Sequence, residues 1–83
     1  MNTLTIRGAA AEIRWSYHQA AVLGSWEMDG PTVTAKVISH DAFKVSQQPL
    51  TFVVQRPTGH LWTWRVQSLQ ITGTMLSASI SQE

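Results

Sequence analysis

Apolar and polar residues alternate along most of this 83-residue chain, and residues that favour tight turns interrupt the alternation. A period of two is typical of β-strands that bury one face, so the pattern predicts a series of short antiparallel strands. The length of each turn determines which residues face each other, and a slip of one residue would send every apolar side chain to the other face. Each predicted hairpin can therefore be tested by asking whether its apolar residues meet.

Two hairpins in the second half of the chain pass this test. In the first, a three-residue loop over residues 57–59 connects the two strands, because Pro57 suits the start of a turn and Gly59 suits the left-handed position that follows. In the second, Gly73 and Thr74 form a connecting turn that fits type II′. The predicted apolar pairs are Leu50 with Val66, Phe52 with Trp64, Val54 with Trp62, Ile71 with Leu76, and Leu69 with Ala78.

Two further hairpins are predicted in the first half of the chain. A four-residue loop over residues 18–21 pairs Trp15 with Gly24, so that a large indole covers a strand glycine. A two-residue turn at Asp29 and Gly30 is the strongest short hairpin signal in the sequence. The other pairs that these turns predict are Tyr17 with Val22, Ile13 with Trp26, Trp26 with Val33, Gly24 with Ala35, and Val22 with Val37.

A short helix is predicted over about residues 40–46, with Ser39 as the N-cap and Pro49 closing the segment. A rival interpretation makes residues 9–23 a helix that Gly24 would cap. Helix propensity is a weak guide against packing, and only the strand register explains why an indole and a glycine face each other. We therefore prefer strands for this segment.

Together these elements predict an all-β fold in a single domain over residues 1–83. It is an antiparallel meander of about seven or eight short strands with one short helical turn near residues 40–46. An apolar sheet face must be covered, so the meander is expected to close as a small barrel or a two-sheet sandwich. The four Trp, two Phe and one Tyr predict a tryptophan-rich core.

Composition narrows the function classes. The net charge is +1 and charged residues make up 13% of the chain, about half the ~25% usual for soluble domains. This balance argues against specific nucleic-acid binding, and a weakly charged surface resists self-association poorly. The chain has no cysteine, its first five residues lack a signal-peptide layout, and its apolar runs are too short to span a bilayer. These features predict a cytoplasmic protein without a membrane partner.

The histidines are candidates for chemistry, and each has a simpler explanation. Ser39, His40 and Asp41 include the residue types of a hydrolase triad, but adjacent residues do not have the geometry of a triad. His18, His40 and His60 lie at predicted turns or element ends and lack metal-ligand spacing. The sequence leaves open whether these histidines converge in space.

The carboxylates do not indicate a catalytic pair either. Glu12 and Glu27 are expected to face each other on the outer side of the sheet, with Arg14 diagonal to Glu27. Paired catalytic acids need a desolvated cleft, which this position does not offer. We therefore predict no enzyme activity, no catalytic residue, no metal site and no cofactor.

Trp62 and Trp64 lie beside Arg65, a combination found on surfaces that bind single-stranded nucleic acids. The two indoles alternate in phase with Val66, however, which favours a place in the core. On the opposite face, several apolar residues lie among neutral polar ones. Either they line packing within a sandwich or they contact another chain. The candidate partner-binding residues are Leu23, Lys36, Ile38, Val53, Leu61 and Arg65.

The sequence thus predicts a non-enzymatic protein-interaction or assembly module. We expect it to form a homo-oligomer through a weakly charged sheet face or an open edge strand. The alternative is a small barrel, in the manner of OB or SH3-like modules, that binds a ligand or single-stranded nucleic acid through exposed aromatics. An enzyme with a site built from loops ranks last.

Overall fold

A computed structural model describes residues 5–81 of the chain. Met1 to Leu4, which enter the expectation of a cytoplasmic protein, lie outside the described residues, as do Gln82 and Glu83. The described part contains, in chain order, β1 (Thr5–Gly8), β2 (Ala11–Trp15), β3 (His18–Asp29), β4 (Thr32–His40), α1 (Ala42–Val45), β5 (Leu50–Gln55), β6 (Leu61–Thr72) and β7 (Met75–Ser81). The all-β class with one short helix is confirmed, and the rival helix over residues 9–23 is wrong.

Six of these strands form a closed antiparallel barrel. The strands β2, β3 and β4 follow one another as one meander, β5, β6 and β7 form a second, and α1 lies in the connection between them. The pairs β2–β5 and β4–β7 join the two meanders into a ring. β1 and β2 pair with the same edge of β3: β2 with its first half and β1 with its second half. A barrel, and not a two-sheet sandwich, therefore covers the apolar face.

The two predicted hairpins of the second meander are confirmed pair by pair. The observed partners include Leu50 with Val66, Phe52 with Trp64, Val54 with Trp62, Ile71 with Leu76, and Leu69 with Ala78. The backbone N–H of Arg56 donates to the carbonyl of His60 at 2.8 Å and closes the three-residue loop. Gly59 and Gly73 have φ values of +89° and +62°, a region that glycine enters without steric cost. Local turn chemistry is therefore sufficient to set both registers.

The register predicted for the first hairpin is wrong. Its turn lies at Ser16 and Tyr17 instead of residues 18–21, so that Trp15 faces His18. Ser16 takes a φ of +57°, which is uncommon for a residue other than glycine. No glycine marks this turn, and for that reason the sequence pattern did not locate it.

The second turn lies at Gly30 and Pro31, one residue later than predicted. As a result Trp26 faces Ala35 instead of Val33. The shift moves each cross-strand partner by two residues, so both partners still lie on the buried face. The predicted pairing is wrong, while the predicted inward face of β4 is correct.

Two bulges in β3 change which of its residues point inward. β3 has one extra residue at Ala20 relative to β2, and another at residues 24–25 relative to β4. A bulge interrupts the alternation of the strand, so Leu23 and Trp26 both face the core although they are three positions apart. Leu23, predicted to lie on the contact face, is only 1% exposed. The predicted outward orientation of Leu23 is therefore wrong.

The core inside the ring is mostly aliphatic. Its largest fully buried side chains are Phe52, Ile13, Leu23, Leu50, Leu76 and Val33. Among the four tryptophans, only Trp26 is buried. Trp15, Trp62 and Trp64 pack against the margin of the core and stay partly exposed. The core therefore contains a tryptophan, but the other three indoles lie at its boundary.

The glycine that an indole covers is Gly8 and not Gly24. Gly8 on β1 faces Trp26 on β3, and a Cβ atom built at Gly8 would lie 2.5 Å from Cε2 of the indole. Nε1 of Trp26 also donates to the carbonyl of Ala10 at 3.2 Å. Trp15, the predicted cover of Gly24, lies beside the first residue of β3. The covering of a strand glycine by a cross-strand aromatic is present, with a different pair of residues.

The helix α1 is capped by Asp41 and not by Ser39. Oδ1 of Asp41 accepts hydrogen bonds from the backbone N–H groups of Phe43 and Lys44, at 3.0 and 3.3 Å. Ser39 still belongs to β4, so the helix begins later than the sequence indicates. Asp41 thus satisfies amide groups that have no partner within the helix.

We expect Gly8→Ala to lower the free energy of unfolding by about 1–3 kcal/mol, because the new methyl group would overlap the rigid indole of Trp26. The matched control is Gly24→Ala, where the nearest atom is the terminal Cδ1 of Ile38 at 3.4 Å. That control should change stability by less than about 0.5 kcal/mol. Urea denaturation measures both variants, and equal effects at the two glycines would contradict this role of Gly8.

Candidate functional site

The six residues predicted to contact a partner do not form one surface. Leu23 is in the core, as described above. Lys36 and Ile38 lie on β4, whereas the other three lie on β5 and β6. Since β7 separates β6 from β4 in the ring, the structure divides the predicted contact face into two regions.

The first region, which we call the outer patch, consists of Lys36, Ile38 and Met75. Ile38 is 66% exposed and Met75 is 54% exposed. Lys36 and Met75 are cross-strand partners on β4 and β7, and Ile38 lies over Gly24. Two large apolar side chains are therefore exposed to solvent beside Lys36. Met75 is not among the six predicted contact residues, although its alternation with the buried Leu76 indicates an outward position.

The second region is a shallow depression of about 560 Å³ on the outer side of β2, β3, β5 and β6. Three of the six predicted contact residues line it: Leu23, Val53 and Leu61. Val53 is only 5% exposed although it lies outside the barrel core. Glu12 faces Val53 across the β2–β5 pair and forms an ion pair with Arg14 at 2.7 Å. Arg65 is exposed on the same side of β6, four residues along from Leu61.

Glu12 and Glu27 are each paired with an arginine and not with each other. Glu12 faces Val22, and its other carboxylate oxygen accepts a hydrogen bond from Gln19 at 2.6 Å. Glu27 forms an ion pair with Arg7 of β1 at 2.8 Å. The prediction that Glu12 and Glu27 lie opposite one another is therefore wrong, because the first turn shifts the register of β2 along β3.

An aromatic chain leads from the core to the mouth of the barrel. Trp26 packs edge-on against Phe52 at 5.4 Å between ring centroids, Phe52 lies 5.6 Å from Trp64, and Trp64 lies 6.0 Å from Trp62. The guanidinium of Arg56 covers the Trp62 ring at 4.1 Å, a cation–π contact. A concavity of about 550 Å³ lies beside the two outer indoles, and we call it the barrel mouth. Its lining residues are Ile6, Met28, His60, Leu61, Trp62, Thr63 and Trp64.

A second group of aromatic side chains lies at the end of the barrel that carries α1. Trp15 stacks on His18 at 5.9 Å and meets Phe43 of α1 edge-on at 6.3 Å. Phe43 and the turn residue Tyr17 are both largely exposed. The predicted pairing of Tyr17 with Val22 is wrong, because the first turn lies at Ser16 and Tyr17.

The edge of β6 that pairs with β5 is open along its second half, within the described part of the chain. Beyond a bulge at Gln67, residues 68–72 pair regularly with β7, but β5 pairs only with residues 61–66. No other described strand lies along the opposite side of residues 68–72, which we call the β6 free edge. The segment contains neither a charged residue nor a proline, the residues that usually protect an edge from pairing. β1 also has an unpaired side, but it carries the exposed Arg7.

The structure does not assemble a triad or a metal site from the described residues. Within the run Ser39, His40 and Asp41, the Asp41 carboxylate caps the helix α1. Between residues 5 and 81, no three His, Asp or Glu side chains lie close enough together to hold a metal ion, and His18, His40 and His60 do not form such a group. The same part of the chain contains no helix that is long and apolar enough to cross a bilayer.

Comparison with protein-family models finds no match for this chain. The searches of curated proteins and of solved structures return no match either. The surface features that can indicate a function are therefore the outer patch, the depression, the barrel mouth and the β6 free edge.

The adjacent residues Val53 and Val54 point to opposite sides of β5. Val53 lines the outer depression, whereas Val54 belongs to the core. Val54→Ala should cost about 2 kcal/mol, since it removes two methyl groups at ~0.8 kcal/mol each and leaves a cavity. Val53→Ala should cost about half as much, because its depression is open to solvent and no closed cavity forms. Urea denaturation compares the two variants. A larger loss at Val53 would contradict the assignment of Val53 to the outer surface.

Proposed function

We propose that this protein is a non-enzymatic protein-interaction or assembly module that associates with copies of itself. The β6 free edge is the observation that carries the proposal. A barrel removes most strand edges by closure, and an edge that stays open presents backbone N–H and C=O groups in position for another strand. Strand addition at such an edge is a common mode of protein recognition.

The character of the surface supports the same proposal. Charged residues make up 13% of the chain, so few like charges keep copies apart. The outer patch adds two exposed apolar side chains, and Leu61 adds another at the rim of the depression. Contacts of this kind release water from apolar surface when a protein partner covers them.

The proposal includes a cytoplasmic location and a protein partner. The absence of cysteine from the sequence fits a reducing compartment. With a net charge of +1, the chain lacks the excess of cations that phosphate binding requires, so specific nucleic-acid binding is not part of the proposal.

The barrel mouth favours a second candidate function, which is binding of a ligand or single-stranded nucleic acid. Its partly exposed Trp62 and Trp64 provide rings on which a flat group can stack. Under this alternative, a single-stranded oligonucleotide should quench indole fluorescence, and Trp62→Phe should remove most of the quenching. Trp15→Phe, at the other end of the barrel, is the control. Absence of quenching at low salt would eliminate the nucleic-acid form of this candidate.

We expect the protein to self-associate reversibly, with an average mass that rises across about a hundredfold range of concentration. Sedimentation velocity and light scattering measure this mass. Raising the salt from about 0.1 M to about 1 M should leave the association unchanged or strengthen it, because backbone and apolar contacts are not screened. A monomer at every concentration would overturn the proposal, and dissociation by salt would contradict its mechanism.

A further inference from the structure

We infer that the β6 free edge pairs with the same edge of a second copy of this chain, antiparallel, with Gln70 on the two-fold axis. This inference rests on the proposed function and names the partner and the register. Most homo-oligomers have closed symmetry, and in a two-fold contact residue i meets residue j while j meets i. The edge segment must therefore be complementary to itself.

The sequence of the edge meets this requirement in one register. The regular run of five residues, 68–72, is centred on Gln70. Pairing about that centre sets Leu69 against Ile71 of the other copy, Ile71 against Leu69, and Gln70 against Gln70. Moving the axis to Leu69 or to Ile71 would leave part of the run unpaired or bring in the bulge at Gln67 or the turn at Gly73.

The side chains favour the same register. Leu69 and Ile71 are only partly buried, and their cross-strand partners on β7, Ala78 and Leu76, belong to the core. A Leu69–Ile71 contact on each side of the axis would extend this apolar face into the second copy. The exposed Gln70 lies on the opposite face, where its amide both donates and accepts, so two copies can bond to each other.

Charge does not oppose the contact. Like charges directly opposite each other destabilise a strand pair, and residues 67–72 bring none to the axis. The result would be a continuous sheet in the order β4, β7, β6, and then β6, β7, β4 of the second copy. Five paired residues form a small interface, so we expect a reversible dimer that dissociates on dilution.

A single engineered cysteine tests the register, because the natural chain has none. In the variant Gln70→Cys, the two Cα atoms would lie about 4.5–5.5 Å apart, within the range of a disulfide. The control is Ser77→Cys, since Ser77 is the exposed cross-strand partner of Gln70 on β7. Two copies of Ser77 would be three strand spacings apart, about 14 Å, which is too far for a disulfide.

Under mild oxidation, we expect Gln70→Cys to form a cross-linked dimer at least about tenfold faster than Ser77→Cys, because only its sulfur atoms can meet. Non-reducing electrophoresis and intact mass spectrometry measure the product. Circular dichroism of both variants checks that the fold is unchanged. Equal rates for the two variants would overturn the inference.

A charge swap provides the second test. Gln70→Lys and Gln70→Glu should each weaken the dimer about fivefold in the dissociation constant, and an equal mixture of the two should restore it. Ser77→Lys should leave association unchanged. If the natural protein dimerises and the Gln70 variants behave like it, this inference fails while the proposed function stands. If the natural protein stays monomeric and Gln70→Cys does not cross-link, both fail.

Discussion

The contacts of the Trp26 indole hold together the strands on which the rest of the barrel depends. The ring lies over Gly8 of β1, meets Phe52 of β5 edge-on, and sits on β3 opposite Ala35 of β4. Its N–H group donates to the carbonyl of Ala10, so the polar atom of a buried ring is satisfied. One side chain thus connects both meanders, and the absence of a side chain at Gly8 is the steric condition for its position.

Closure of the ring also explains the surface. Strands that bend around a small barrel need bulges, and each bulge reverses the side-chain order of its strand. The bulge at residues 24–25 turns Leu23 inward, while Ile38 of β4 stays outside over Gly24. The same curvature separates Val53 and Leu61 from Lys36 by intervening strands. The exposed apolar residues therefore form separate regions instead of one face.

The proposed assembly uses a strand edge that stays unpaired after the barrel closes. Pairing between β4 and β7 and between β2 and β5 satisfies most strand edges, but β6 extends beyond the end of β5. The extension carries Leu69 and Ile71 on one side and Gln70 on the other, a pattern complementary to its own reverse. A contact of this kind would use the neutral polar surface of the protein and would need no catalytic or charged group.

The sequence by itself determined the strand class, the hairpins at residues 57–59 and 73–74, and the outward positions of Ile38, Leu61 and Arg65. These features depend on turn glycines and on alternation, which act between residues close in the chain. Only the tertiary structure decided the register of β2 along β3, the burial of Leu23 and the open edge of β6. Bulges and edges depend on which distant strands meet when the ring closes, and no local pattern contains that information.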